Sequence, residues 1–221
     1  MIEHRAPAFR PVLPLRAFAV VLAVAAAAGV AGGFALQRLH RGAAAPALPA
    51  FHGQAQWADG ARPAPGFSLR DQSGSLVSLA ALRGRPVLLT FLDSQCRAQC
   101  PIEGRQLGSI LRRLPAVERP TLVVLTVNPK GDTPASIHRA MAKWSLAGPW
   151  RWHWLNGSRA ELAGVWRDYG VTIAPKSGGI VHSLALYLID GHGYERTAYL
   201  FPFLPGFVQG DLGRLAGGSA A

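Results

Sequence analysis

The sequence predicts a mixed α/β domain, one sheet covered by helices on both faces, and three observations carry that prediction. Residues 86–92 (PVLLTFL) and 121–128 (TLVVLTVN) are short apolar runs of the kind found in strands buried on both faces. Helical stretches follow each run, marked by their own start and stop residues. The turns Asp71-Gln-Ser-Gly74 and Asp190-Gly-His-Gly193 join shorter extended runs into hairpins.

The elements follow in chain order. Residues 67–70 and 76–78 flank the first turn. Residues 101–114 read as a helix with proline in its first turn and Arg112-Arg113 in its last, where the cations complement the dipole. Asp132 and Thr133 cap a helix running from 134 to about 144. Ser158 and Glu161 form a capping box for 158–169, which Gly170 stops. Residues 183–189 and 195–200 are strands, and a last helix covers 205–215. No internal repeat is visible. The folded domain is expected over 65–221, long enough to bury a real core.

The N-terminal part reads differently. Residues 17–36 contain 20 consecutive residues without a charged or polar side chain. At about 1.5 Å per residue such a helix roughly crosses a bilayer core. We therefore expect a transmembrane anchor over 17–39, or an uncleaved signal, after a cytoplasmic segment 1–16. A cleaved signal fits less well, because the run is long and Ala43-Ala44-Ala45 is followed by Pro46. Arg5, Arg10 and Arg16 precede the span and Arg38 and Arg41 follow it, a slight bias that places the domain outside. Gly29 and Gly33 form a G-x-x-x-G, compatible with weak pairing of two copies. Residues 40–64, rich in Ala, Pro and Gly, read as a tether, with Phe51 and Trp57 as residues able to dock on the domain.

The net charge is +11, of which residues 1–41 supply +4 and the remainder +7. Apart from Arg112-Arg113 the cations are dispersed, so the sequence offers no nucleic-acid footprint. A diffuse positive field suits an anionic membrane surface or an acidic protein partner; an Arg- and Ala-rich base composition would produce the same balance.

The chemistry concentrates in Phe91-Leu-Asp-Ser-Gln-Cys96-Arg-Ala-Gln-Cys100-Pro101, which holds both cysteines of the chain. Cys-x-x-x-Cys matches neither a four-cysteine zinc site nor a Cys-x-x-Cys redox pair. If the loop winds into the following helix, residues four apart project to one side. Cys100 then sits at a helix N-terminus, where free N–H groups favour a thiolate. Metal binding, thiol redox chemistry and an inert disulfide all remain open, although a disulfide closing so short a loop gains little chain entropy. His182 is the histidine placed to join the cysteines, since it stands at the start of a buried strand after Lys176-Ser-Gly-Gly179. Two thiolates and an imidazole make a soft site suited to copper.

This segment resembles the signature of the Sco/SenC family of membrane-anchored copper proteins. Three later stretches keep the family order: Thr126-Val-Asn-Pro-Lys-Gly-Asp-Thr-Pro134; Trp154-Leu-Asn-Gly157 with Tyr169-Gly170-Val171; and Val181-His182-Ser183 with Tyr187-Leu-Ile-Asp190. The resemblance implies a thioredoxin-like fold, with Cys96, Cys100 and His182 as copper ligands. It also implies a location on the bacterial inner membrane with the domain in the periplasm. The implied function is a metallochaperone that delivers copper to the copper-receiving subunit of cytochrome c oxidase, for its binuclear centre. The alternatives are a thiol–disulfide oxidoreductase that reduces a partner's cysteines, acting through Cys96 and Cys100, or a redox or copper sensor. Asn128 stands where the family usually has Asp, and Arg97-Ala98 replaces Pro-Asp. A more positive site is expected to lower thiolate pKa values and to favour Cu(I) over Cu(II).

Other candidates carry less. His4, His40, His52, His138, His153 and His192 have no ligand pattern around them. Trp144, Trp150, Trp152 and Trp154 fit packing better than a partner surface. Asp132 suits either a helix cap or a group polarising the site. No phosphate loop, nucleotide fingerprint or serine triad is visible, so enzymatic activity would rest on the thiols.

Overall fold

The computed structural model describes residues 51–177 and 179–218, together with the helical residues 19–20, 25–26, 28–30 and 32–33. The chain divides into two compact units, Met1–Ala47 and Leu48–Ala221. The segment 1–16 and most of the expected anchor at 17–39 lie outside the described residues. Among the described residues, no helix is long and apolar enough to cross a membrane.

The second unit is built on the two apolar runs. They form β4 (Val87–Leu92) and β5 (Thr121–Thr126), in which every residue is buried. These strands pair in parallel from Val87↔Thr121 to Leu92↔Thr126. β6 (Trp152–Leu155) adds in parallel beyond β5. On the other side β9 (Ala185–Ile189) runs antiparallel to β4, followed by β10 (Glu195–Leu200) and β1 (Ala55–Gln56). The six-stranded order is β1-β10-β9-β4-β5-β6.

Strand periodicity splits the core into two layers. Leu88, Leu92, Leu122, Val124 and Trp154 meet α1 (Cys100–Arg113), α2 (Pro134–Lys143) and α4 (Pro205–Gly218) on one face. Val87, Leu89, Phe91, Val123 and Leu125 meet α3 (Arg159–Asp168) and the hairpin of β2 (Ser68–Arg70) and β3 (Leu76–Ser78) on the other. The expected mixed sheet flanked by helices is therefore present, with capping boxes on α2 at Thr133 and on α3 at Ser158.

Four local expectations change. The segment 40–64 is not tether throughout: from residue 51 it belongs to the domain, with Phe51 buried and β1 completing the sheet edge at Ala55↔Ala198. Gly53 permits that approach, since a Cβ there would lie 2.2 Å from Thr197 Oγ1 and 2.4 Å from the Ala198 carbonyl oxygen. Trp57 is half-buried, with the Arg62 guanidinium 4.6 Å over its ring. The tryptophan-rich stretch supplies a strand, β6, with Trp152 and Trp154 on one face and Leu155 on the other. Asp132 does not cap α2; Thr133 accepts the Ser136 N–H, and the Asp132 side chain turns inward. Finally, residues before β9 form a separate two-stranded hairpin, β7 (Ile173–Lys176) and β8 (Gly179–His182).

Candidate metal centre

The site lies beyond the C-terminal end of β4, where α/β sheets place their ligands. As β4 ends, Asp93 organises the turn: its carbonyl accepts the Cys96 N–H at 3.0 Å and its carboxylate accepts the Gln95 N–H at 2.8 Å. Asp132 pins the same loop from below. It accepts the Ser94 N–H at 2.8 Å, the Thr126 hydroxyl at 2.5 Å and the Trp154 indole N–H at 3.0 Å. Asp132 is thus an anchor of the loop, and burial raises its pKa.

Cys100 opens α1 and is fully buried, with Pro101 behind it; Cys96 is half-buried, and both are free thiols. His182 ends β8, paired with Ile173, and its Nε2 lies 3.7 Å from Cys100 Sγ. Its Nδ1 is 3.0 Å from the Ser183 carbonyl oxygen, which can only accept, so Nδ1 carries the proton and Nε2 presents its lone pair. Burial also lowers the His182 pKa, keeping the ring neutral as a ligand must be. The three predicted residues line one cleft of about 900 Å³, with Asp93, Asn128 and Lys176 around them. Among the described residues no three His, Cys, Asp or Glu side chains form a ready-made metal cage. The trio meets in pairs, Cys96 with Cys100 and Cys100 with His182.

The thiolate belongs to Cys96, not to Cys100 as the helix argument suggested. The Cys100 S–H and the N–H groups of Ala98, Gln99 and Cys100 all converge on the Cys96 sulfur. They bring its pKa down to about 5 against the cost of burial. Cys100, deeper and donating to that thiolate, is pushed up. The helix N-terminus does help stabilise a thiolate, but its Cys100 N–H, together with those of Ala98 and Gln99 in the loop, faces Cys96, four residues before the helix begins. The largest causes of the lowering are these donors, rather than the Arg97 charge that the sequence suggested.

Asn128 takes a defined place in the cleft. Its Nδ2 donates to the Asp93 carboxylate at 3.1 Å, and its Oδ1 accepts the Gly131 N–H at 3.1 Å. An aspartate here would set two carboxylates against each other, which the amide avoids.

Sequence reading missed Glu103. It is fully buried beneath the loop, accepts the Thr90 hydroxyl at 2.5 Å through Oε1, and leaves Oε2 without a partner. Desolvation raises its pKa to about 8. The signal was available: Glu103, Leu107, Ile110 and Leu111 share the inward stripe of α1.

The remaining candidates are structural. His52 bonds Asp211 at 2.7 Å, His153 bonds Asp71 at 3.0 Å, and His138 meets Trp152 edge-on with centroids 5.8 Å apart. His192 sits in the turn after β9, and His4 and His40 lie outside the described residues. Trp144 and Trp154 pack in the core with centroids 6.0 Å apart.

The bovine (Bos taurus) protein "SCO2 homolog, mitochondrial" is 34% identical over 142 residues, covering 60% of this chain and 52% of that protein, so the chain spans about half the length of this relative. A copper-bound structure of Bradyrhizobium japonicum ScoI has 26% identity and a TM-score of 0.58, covering 70% of this chain and 99% of that one. BsSco, described with a disulfide switch and as a member of the Sco family of cytochrome c oxidase assembly proteins, has a TM-score of 0.62 at 20% identity, over 74% of this chain and 98% of that one. Residues 56–202, two-thirds of the chain and including Cys96, Cys100 and His182, match the SCO1/SenC family, and the chain belongs to that family.

Proposed function

We propose that this protein is a copper metallochaperone for assembly of the binuclear copper centre of cytochrome c oxidase, with Cys96, Cys100 and His182 as ligands. The observation that carries the reading is the 3.7 Å approach of His182 Nε2 to Cys100 Sγ, across 82 residues of sequence, in the cleft that also holds Cys96. Two sulfurs and one neutral imidazole are a soft donor set, which fits Cu(I) better than Cu(II) or a hard cation. Each residue has its own part: Cys96 supplies a ready thiolate, Cys100 loses its proton as metal binds, and Ser183 holds the His182 tautomer. We place the domain in the periplasm, held to the bacterial inner membrane by the 17–39 span. The receiving partner in this reading is the oxidase subunit that houses the binuclear centre.

Titrating the reduced full chain, in neutral detergent, with Cu(I) against a competing chelator tests the ligand set. The wild type is expected to bind one Cu(I). Cys96→Ser and Cys100→Ser should each lose on the order of 100-fold or more, and His182→Ala at least about tenfold. Unchanged affinity in His182→Ala would remove it from the site.

The low pKa of Cys96 supports a second reading, thiol–disulfide exchange with a partner. Cys96 thiolate would attack one sulfur of the partner's disulfide, and Cys100 would then displace the partner. A Cys96–Cys100 disulfide forms and two partner thiols are released. That cycle needs no imidazole, so His182→Ala separates the readings: it should spare exchange and impair copper binding. A sensor that reports copper or redox state would use the same residues.

A further inference from the structure

We propose that a second cleft, on the other side of Cys96 from His182, docks an acidic segment of the partner protein. Cys96 lines both clefts. The second holds about 650 Å³ between α1 and α2. α1 presents Ile102 and Arg105 to it, three residues apart, α2 presents Arg139 and Lys143, four apart, and the loop adds Arg97. All four cations are exposed, and no carboxylate lines the cleft.

Several cations elsewhere in the domain are engaged. Arg62 and Arg196 meet carboxylates, while Arg112 and Arg119 donate to backbone carbonyls. Among the described residues, the side chains of Arg97, Arg105, Arg139 and Lys143 have no such partner. The fold thus sets four of the dispersed cations around one groove beside Cys96. Like charges so placed repel, and an anionic ligand relieves that repulsion. Half-exposed Ile102 on the wall adds apolar contact, suited to a peptide carrying Asp or Glu around an apolar residue. The groove is concave, so a planar bilayer surface reaches its rim but not its depth. A segment seated there would bring a neighbouring cysteine or metal-receiving group to Cys96. What is handed over rests on the function proposed above; the docking itself does not.

The probe is a fluorescein-labelled, cysteine-free peptide of about eight residues, with roughly four Glu around one Leu, compared with the same peptide carrying Gln for Glu. Binding is measured on the full chain in neutral detergent, with anionic phosphatidylglycerol vesicles as competitor. At about 20 mM salt the Glu peptide is expected to bind roughly tenfold tighter than the Gln peptide, an advantage that shrinks several-fold near 200 mM. Arg105→Gln/Arg139→Gln/Lys143→Gln, substitutions at exposed positions, should abolish the advantage while leaving Cu(I) affinity unchanged. Equal binding of the two peptides, or an undiminished advantage in the triple variant, overturns the proposal. So does vesicle binding that depends on these residues while the peptide does not bind. A wild type that binds the Glu peptide but no copper would instead sink the metallochaperone reading and leave the docking intact.

Discussion

The two halves of the site are held very differently. Cys96 and Cys100 hang from β4, a strand buried at all six positions and bonded on both sides, and from a loop pinned by Asp93 and Asp132. His182 ends β8, a strand of four residues, none fully buried, paired only with β7 and lying outside the six-stranded sheet. Half-buried Ile173 and Ile180 are the apolar residues that tie this hairpin to the core. In the proposed copper reading, the difference would let the site bind a soft ion and still release it. A fixed dithiol keeps its donors ready, whereas a donor on a lightly held flap can leave first at low energetic cost.

The most forceful way to break this comparison is to cut both anchors. Leu92 is completely buried in the core layer that also holds Cys100, so Leu92→Ala should cost about 2–5 kcal/mol in chemical unfolding. Ile180→Ala, on the flap, should cost about 1 kcal/mol or less, because little apolar area is withdrawn from water there. Equal losses would mean the flap is as much part of the core as β4.

Glu103 sharpens the same contrast through pH. Its pKa rises from an unfolded value near 4.5 to about 8 in the fold, so the folded state holds the proton more tightly. The stability tied to this group is complete below about pH 4.5 and falls as pH climbs toward 8. Glu103→Gln should remove that decline, leaving the variant more stable than wild type near pH 8 by an amount on the order of a few kcal/mol. Unfolding midpoints that track each other from pH 5 to 8 would contradict the assignment.

A smaller effect is expected at Asn128. Asn128→Asp sets a second carboxylate against Asp93 in the cleft. The added negative charge should tighten Cu(II) several-fold and change Cu(I) less. If the wild type already binds Cu(II) more tightly than this variant, the charge argument fails.

What the sequence revealed follows the same divide. β4, β5 and the capped helices were legible because burial on both faces leaves unbroken apolar runs, and capping residues mark helix starts. The residues proposed as ligands were legible through the Cys96–Cys100 spacing and the strand after His182. The flap was not: Ile-Ala-Pro-Lys and Gly-Ile-Val-His are too short and too exposed to show alternation. β1 was hidden in an Ala/Pro/Gly-rich segment because pairing with β10, not side-chain pattern, makes it a strand. The thiolate fell on Cys96 because donors converge in three dimensions from residues 98–100, which spacing alone did not resolve.

Amide hydrogen exchange of the reduced full chain, with and without one equivalent of Cu(I), tests the unequal support of the site most directly. In the metal-free protein, β7 and β8 amides should exchange at least about a hundredfold faster than those of β4 and β5, reflecting local opening. Cu(I) should slow β7 and β8 by roughly tenfold or more while leaving β4 and β5 unchanged. A flap as protected as β4 before copper is added, or one that copper does not slow, would contradict the account.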